Sequence, residues 1–149
     1  MKKIFQTNEN NAATILRIVL GLILFPHGAQ KMLGWFGGYG FNGTMGFLTG
    51  AAGLPWIIAF LVIAIEFFGA IALIFGFATR VVAIGIISLF AGIIFTSHYA
   101  NGFFMNWAGN QKGEGYEYHL LVIGIAIALL ITGAGKWSID YALQRKNKL

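Results

Sequence analysis

The sequence predicts an all-α membrane protein: a transmembrane four-helix antiparallel bundle with both termini cytoplasmic and two long outward-facing loops. Three observations predict it. The 149 residues are 58% hydrophobic and only 10% charged, with mean hydropathy +0.75, too few charges to cover a water-exposed surface. The apolar residues fall into four runs separated by polar or Gly-rich segments, and each run is near the ~20 residues that cross a ~30 Å hydrocarbon layer. The basic residues lie mostly at the ends of those runs and on one side of them.

The first span covers about residues 12–33. Its length and the lack of a small-residue cleavage site after a short apolar core lead us to expect a retained anchor and not a cleaved signal. A Gly- and aromatic-rich loop follows to Leu54. The second span, "PWIIAFLVIAIEFFGAIALIFGF", runs from Pro55 to Phe77, with proline placed at a favourable helix start. A turn of three residues leads into the third span, about 80–99, and the second long loop covers about Ala100 to Tyr116. The fourth span is about 118–135. The tail "KWSIDYALQRKNKL" reads as a short interfacial segment whose Lys and Arg reach headgroups. Adjacent spans joined by short links pack antiparallel, so residues 1–149 read as one domain.

Direction comes from the charges. Lys2, Lys3, Arg17, Arg80, Lys136, Arg145, Lys146 and Lys148 lie on the side of the termini, and Lys31 and Lys112 on the other. That asymmetry puts both ends in the cytoplasm of a plasma (inner) membrane. The same arrangement assigns the net charge of +5 to anionic headgroups and not to nucleic acid. Cys is absent, which excludes disulfides, thiolate metal ligands and dithiol relays.

Ionisable groups inside the apolar runs each cost roughly 2.5–3.5 kcal/mol at the bilayer centre, so they call for partners or roles. On a helical wheel, His27 and Lys31 share a side with Arg17, about 80° and 40° from it, and Gly21 and Gly28 lie on that side too. Glu66 sits near the middle of the second span beside a Gly69–Gly76 packing seam, and Arg17 is its expected partner. On the third span Gly85, Ser88, Gly92, Thr96 and Tyr99 read as an inward seam, with His98 turned away. On the fourth, Glu117 aligns with Gly124, Ala128 and Gly135, which turns Glu117 inward and His119 outward. Depth groups His27, Lys31, His98, Glu117 and His119 in the outer half, above Glu66 and Arg17. No metal-ligand spacing such as HxxxH links the histidines, so no metal site is expected.

Three ordered segments resemble the DoxX family of small bacterial and archaeal membrane proteins: "RIVLGLILFPHGAQKMLGWFGGYG", "IEFFGAIALIFGFATR" and "GAGKWSID". The resemblance implies a four-helix bundle and a link to membrane redox chemistry, since relatives are described as subunits of thiosulfate:quinone oxidoreductase, terminal-oxidase assemblies and thiol-stress complexes. Carried over by position, it marks Arg17, His27, Lys31, Glu66, Arg80 and Asp140.

The reading is an integral membrane subunit of a redox system that binds a quinone or a small oxidant or thiol-stress substrate in an outer polar cleft. His27 and Glu66 are the candidate catalytic residues; Arg17, His27, Lys31, Glu66, His98, Glu117 and His119 are the candidate binding set. No cofactor is encoded by motif, so electrons would come from a partner protein, with a homo-oligomer as the other expected assembly and the bilayer as the constant partner. The alternative is a scaffold or small carrier whose buried charges are structural. A proton-coupled transporter is a third reading, weakened by the lack of an internal repeat.

Overall fold

The computed structural model describes residues 6–146, so Lys2, Lys3 and Lys148 of the charge count lie outside the described residues. All regular structure among the described residues is helical. Helix α1 spans Asn11–Leu33, α2 Gly40–Gly46, α3 Trp56–Phe75 and α4 Thr79–Asn101, α5 Glu117–Thr132 and α6 Ile139–Lys146. Helices α1, α3 and α4 are long and apolar enough to cross a membrane. Helix α5 is equally apolar but has 16 residues, about 24 Å at 1.5 Å per residue. The segment expected to be an open loop after α1 is instead largely helical, passing through a tight turn at Trp35–Gly37, α2 and a π turn at Phe47–Ala51.

Local chemistry sets the ends of α1. The Asn10 side chain accepts from the Ala12 amide at 2.8 Å, an N-cap bond that satisfies one of the orphan donors of the first turn. Gly34 ends the helix with φ +75°, a left-handed cap that glycine adopts without a Cβ penalty.

Helices α1, α3, α4 and α5 share one apolar core that includes Leu20, Leu24, Leu73, Ile86, Phe90, Ala126 and Leu129. Glycine brings α1 against α3: a Cβ on Gly28 would stand 2.5 Å from the Glu66 carbonyl oxygen, and one on Gly21 2.9 Å from that of Ala70. Two other seams differ from the sequence expectation. Ser88, Gly92, Thr96 and Tyr99 are exposed, and the buried face of α4 is Ala83, Ile86, Leu89 and Phe90. In α5 Gly124 is exposed, and His119, Val122, Ala126 and Leu129 turn inward. Large apolar side chains gain more from core contact than small ones do. Small residues therefore mark a seam only where two backbones meet, as at Gly28.

Two long helices carry a wide turn. In α3 it falls at Ile65–Gly69 and in α4 at Ile94–His98. Each π turn inserts about one residue into the helical count and re-aims the side chains on it. The first carries Glu66 and the second His98.

Candidate functional site

The two π turns face a cavity of about 450 Å³. Helix α1 contributes Leu24, His27 and Lys31; α3 contributes Glu66; α4 contributes Phe90, Ile93 and His98. The segment between α4 and α5 adds Met105 and Glu114, and α5 adds Tyr118 and His119. Glu66 is 4% exposed, and Lys31 Nζ lies 2.5 Å from its Oε2. Lys31 reaches it from the last turn of α1, whereas His27, one turn earlier, is exposed and stands at the cavity edge.

The opposite wall is aromatic and imidazole. The rings of His98 and His119 lie 4.3 Å apart between centroids at an interplanar angle of 41°, and Phe90 stands 5.6 Å from the His119 ring. His98 Nδ1 lies 2.8 Å from the carbonyl oxygen of Glu114. A carbonyl only accepts, so Nδ1 carries the proton and donates it there. His119 is 7% exposed. Its Nδ1 and the Tyr118 hydroxyl are buried with no hydrogen-bond partner among the described residues. That is unusual, because a buried Tyr hydroxyl ordinarily finds one.

Glu117 is not in this wall. Its Oε1 accepts from the Met105 amide at 2.9 Å, while Glu114 Oε2 accepts from the Asn106 amide at 2.7 Å. Glu117 thus holds the loop residue that covers the cavity, and His119 takes the inward position expected for Glu117. Among the described residues no three His, Cys, Asp or Glu side chains gather as a metal-ligand set.

Arg17 lies elsewhere, at the opposite end of α1. It is 1% exposed and donates only to carbonyls: Nε to Ala134 at 2.8 Å, Nη1 to Leu73 at 2.9 Å and Ile74 at 2.6 Å, and Nη2 to Trp137 at 2.6 Å. Glu66 therefore pairs with Lys31 and not with the expected Arg17. Asp140 completes this end, its carboxylate accepting from the amides of Ala78 at 2.8 Å and Thr79 at 2.9 Å at the start of α4. Arg80 caps neighbouring backbone, donating to the carbonyls of Gln6 and Ile131 at 3.0 Å each. Of the sequence-proposed binding set, the cavity brings together His27, Lys31, Glu66, His98 and His119; Arg17 and Glu117 support surrounding backbone.

Sequence reasoning missed Tyr118, Glu114, Met105 and Phe90. The inward spacing 119–122–126–129 would have turned His119 inward with Tyr118 beside it, but the line through Glu117, Gly124 and Gly135 masked it.

The residues around Arg17, His27 and Glu66 lie in one matched stretch: the DoxX family pattern matches residues 12–99. The chain belongs to the DoxX family. Among its relatives is "Putative oxidoreductase CatD" of Bacillus subtilis, 33% identical over 85% of this chain and 82% of the relative. "Inner membrane protein YqjF" of Escherichia coli is 32% identical over 98% and 99% of the two chains. "Inner membrane protein YphA" of the same species is 28% identical over 85% and 86%. No solved structure matches the chain. With three apolar helices of spanning length and inner-membrane relatives, this DoxX protein is a membrane protein in contact with the lipid bilayer.

Proposed function

We propose that this DoxX protein is the membrane-embedded, ligand-binding subunit of a redox system, and that its cavity holds the head of a quinone or a comparably small oxidant. The observation that carries this reading is the Lys31–Glu66 ion pair in the wall of a 450 Å³ cavity whose far wall holds two buried polar atoms without partners. Buried groups left unsatisfied cost free energy, and a ligand with oxygen atoms would recover it. A relative named as an oxidoreductase adds support.

In this reading Lys31 and His27 donate hydrogen bonds to ligand oxygen. Glu66 is the proton-exchanging carboxylate, since reducing a quinone takes up protons together with electrons. His98 and His119 form the opposite side of the site, and Arg17 and Glu117 position the helices and loop around it. Electrons reach the site from a partner protein, because the Cys-free chain cannot build a thiol relay or an all-Cys iron–sulfur centre. We also propose that α1, α3, α4 and α5 all cross the bilayer as one four-helix bundle, with both termini cytoplasmic and the cavity towards the outer side. Reporter fusions at each terminus test that orientation, and a terminus reporting from the outer side overturns it.

The functional test is purification in mild detergent with identification of co-extracted small molecules by absorbance and mass spectrometry. The expected result is a bound quinone that is lost in Glu66→Gln while the protein remains folded. A second reading, a scaffold whose charges only lock helices together, draws on the fully satisfied Arg17 network. It predicts clean, ligand-free protein and a Glu66→Gln variant whose sole defect is lower abundance.

A further inference from the structure

The cavity has two unlike ends. At one, the cation is already neutralised: Lys31 Nζ is 2.5 Å from the Glu66 carboxylate. At the other, Tyr118 and His119 line the cavity and each buries a polar atom that carries no partner among the described residues, and Glu114 lines the cavity too. Leu24, Phe90 and Ile93 make the space between these ends apolar.

That arrangement constrains the ligand's charge. An oxyanion entering here would have to draw Lys31 away from Glu66, leaving a carboxylate that is 4% exposed without its counter-charge. Breaking a buried pair from one side is strongly unfavourable. Glu114, also lining the cavity, would repel the anion further. A neutral ring meets neither penalty, and Phe90 with the two tilted imidazoles offers it aromatic surface.

The hydroxyl of Tyr118 lies within Coulombic reach of Glu66 but makes no hydrogen bond to it. A hydroxyl can both donate and accept, so it suits an oxygen that is a carbonyl in one redox state and a hydroxyl in the other. We propose that Tyr118 is a ligand-binding residue, hydrogen-bonding the oxygen of an uncharged oxygenated ring held opposite the Lys31–Glu66 pair, and that the cavity rejects small oxyanions such as thiosulfate. The inference rests on the ligand-binding reading above and assigns the ligand's charge class and a residue that reads it.

The test uses the full-length protein in detergent and measures dissociation constants for hydroquinone, para-dimethoxybenzene and thiosulfate. In the wild type, hydroquinone binds about tenfold more tightly than the dimethoxy compound, the worth of one hydrogen bond, and thiosulfate does not bind. In Tyr118→Phe the preference for hydroquinone disappears while the melting temperature stays unchanged. If that variant does not fold, the wild-type preference among the three probes decides by itself. Thiosulfate binding that is lost in Lys31→Met overturns the proposal, as does equal affinity for the two aromatic probes. A quinone that co-purifies and binds independently of Tyr118 overturns this inference alone, whereas failure of every probe together with ligand-free protein overturns the ligand-binding reading as well.

Discussion

The two ends of α1 each carry a basic residue, Arg17 buried and Lys31 half-buried, and they treat it in opposite ways. At the Arg17 end each guanidinium nitrogen has a backbone carbonyl within 3 Å, and Asp140 caps α4 through two amides, while the buried Thr79 hydroxyl beside it has no partner among the described residues. The segment before α6 folds under this network, with Gly135 at φ +75° and so close to α1 that a Cβ there would lie 2.5 Å from the Asn10 carbonyl. Neither Arg17 nor Asp140 is left for a ligand. At the Lys31 end the cation has one carboxylate partner, the helices widen into π turns at Glu66 and His98, and two polar atoms on the facing wall have none. A charge whose bonds all go to backbone reads as architecture. Partial satisfaction around a cavity reads as a site.

Substitutions should separate these roles. Arg17→Met removes the guanidinium from four carbonyls, two of those bonds buried and two part-buried, and losing one side of such a network costs about 3–5 kcal/mol. The expected outcome is loss of folded protein, read as the fraction that elutes monodisperse from detergent extracts. Gly28→Ala comes next: its Cβ would meet the Glu66 backbone, an overpacking that costs about 1–3 kcal/mol and shifts the carboxylate. Both melting temperature and ligand occupancy fall, while Gly46→Ala, with open space around it, changes neither. Glu66→Gln is expected to cost only about 1 kcal/mol, because the cation it leaves, Lys31, is 29% exposed and can be hydrated while the amide still accepts its hydrogen bond, yet it removes the carboxylate. Occupancy drops far more than stability does, the reverse of Arg17→Met.

The smallest effect lies where the segment before α1 meets α6. The Tyr141 hydroxyl donates to the Glu9 carboxylate, and that bond, with slight burial, raises the phenol above its usual value of 10.0. A raised folded-state value means that the contact contributes fully below pH 10 and is lost as pH climbs through the higher folded value. Ultraviolet titration should therefore find the Tyr141 phenol ionising late in the wild type. In Tyr141→Phe or Glu9→Gln that late transition disappears, with little change in melting temperature.

Much of this was legible in the sequence, for identifiable reasons. Long apolar runs and terminal charges located the helices, since hydrophobicity needs no partner to be read. The clustering of His27, Lys31 and Glu66 followed from wheel geometry on α1 and the cost of burying Glu66. What failed depended on particular pairings. Arg17 and Lys31 both lie within reach of α3, and only the depth of Glu66 along it, changed by the π turn, chooses Lys31. The exposed Ser88–Gly92–Thr96 stripe and the exposed Gly124 looked like packing seams because small residues allow close approach without requiring it. Tyr118 was hidden by the same error, since the inward face of α5 was assigned to Glu117.

The central claim is that the Lys31–Glu66 end binds a ligand and the Arg17–Asp140 end does not, and thermal unfolding with and without a short-chain quinone tests it most directly. A quinone at roughly 100 times its dissociation constant should stabilise the wild type by about 2.7 kcal/mol, a rise of several degrees, and should leave Glu66→Gln unmoved at a nearly normal starting temperature. An equal rise in both proteins, or none in the wild type at any attainable quinone concentration, would contradict it.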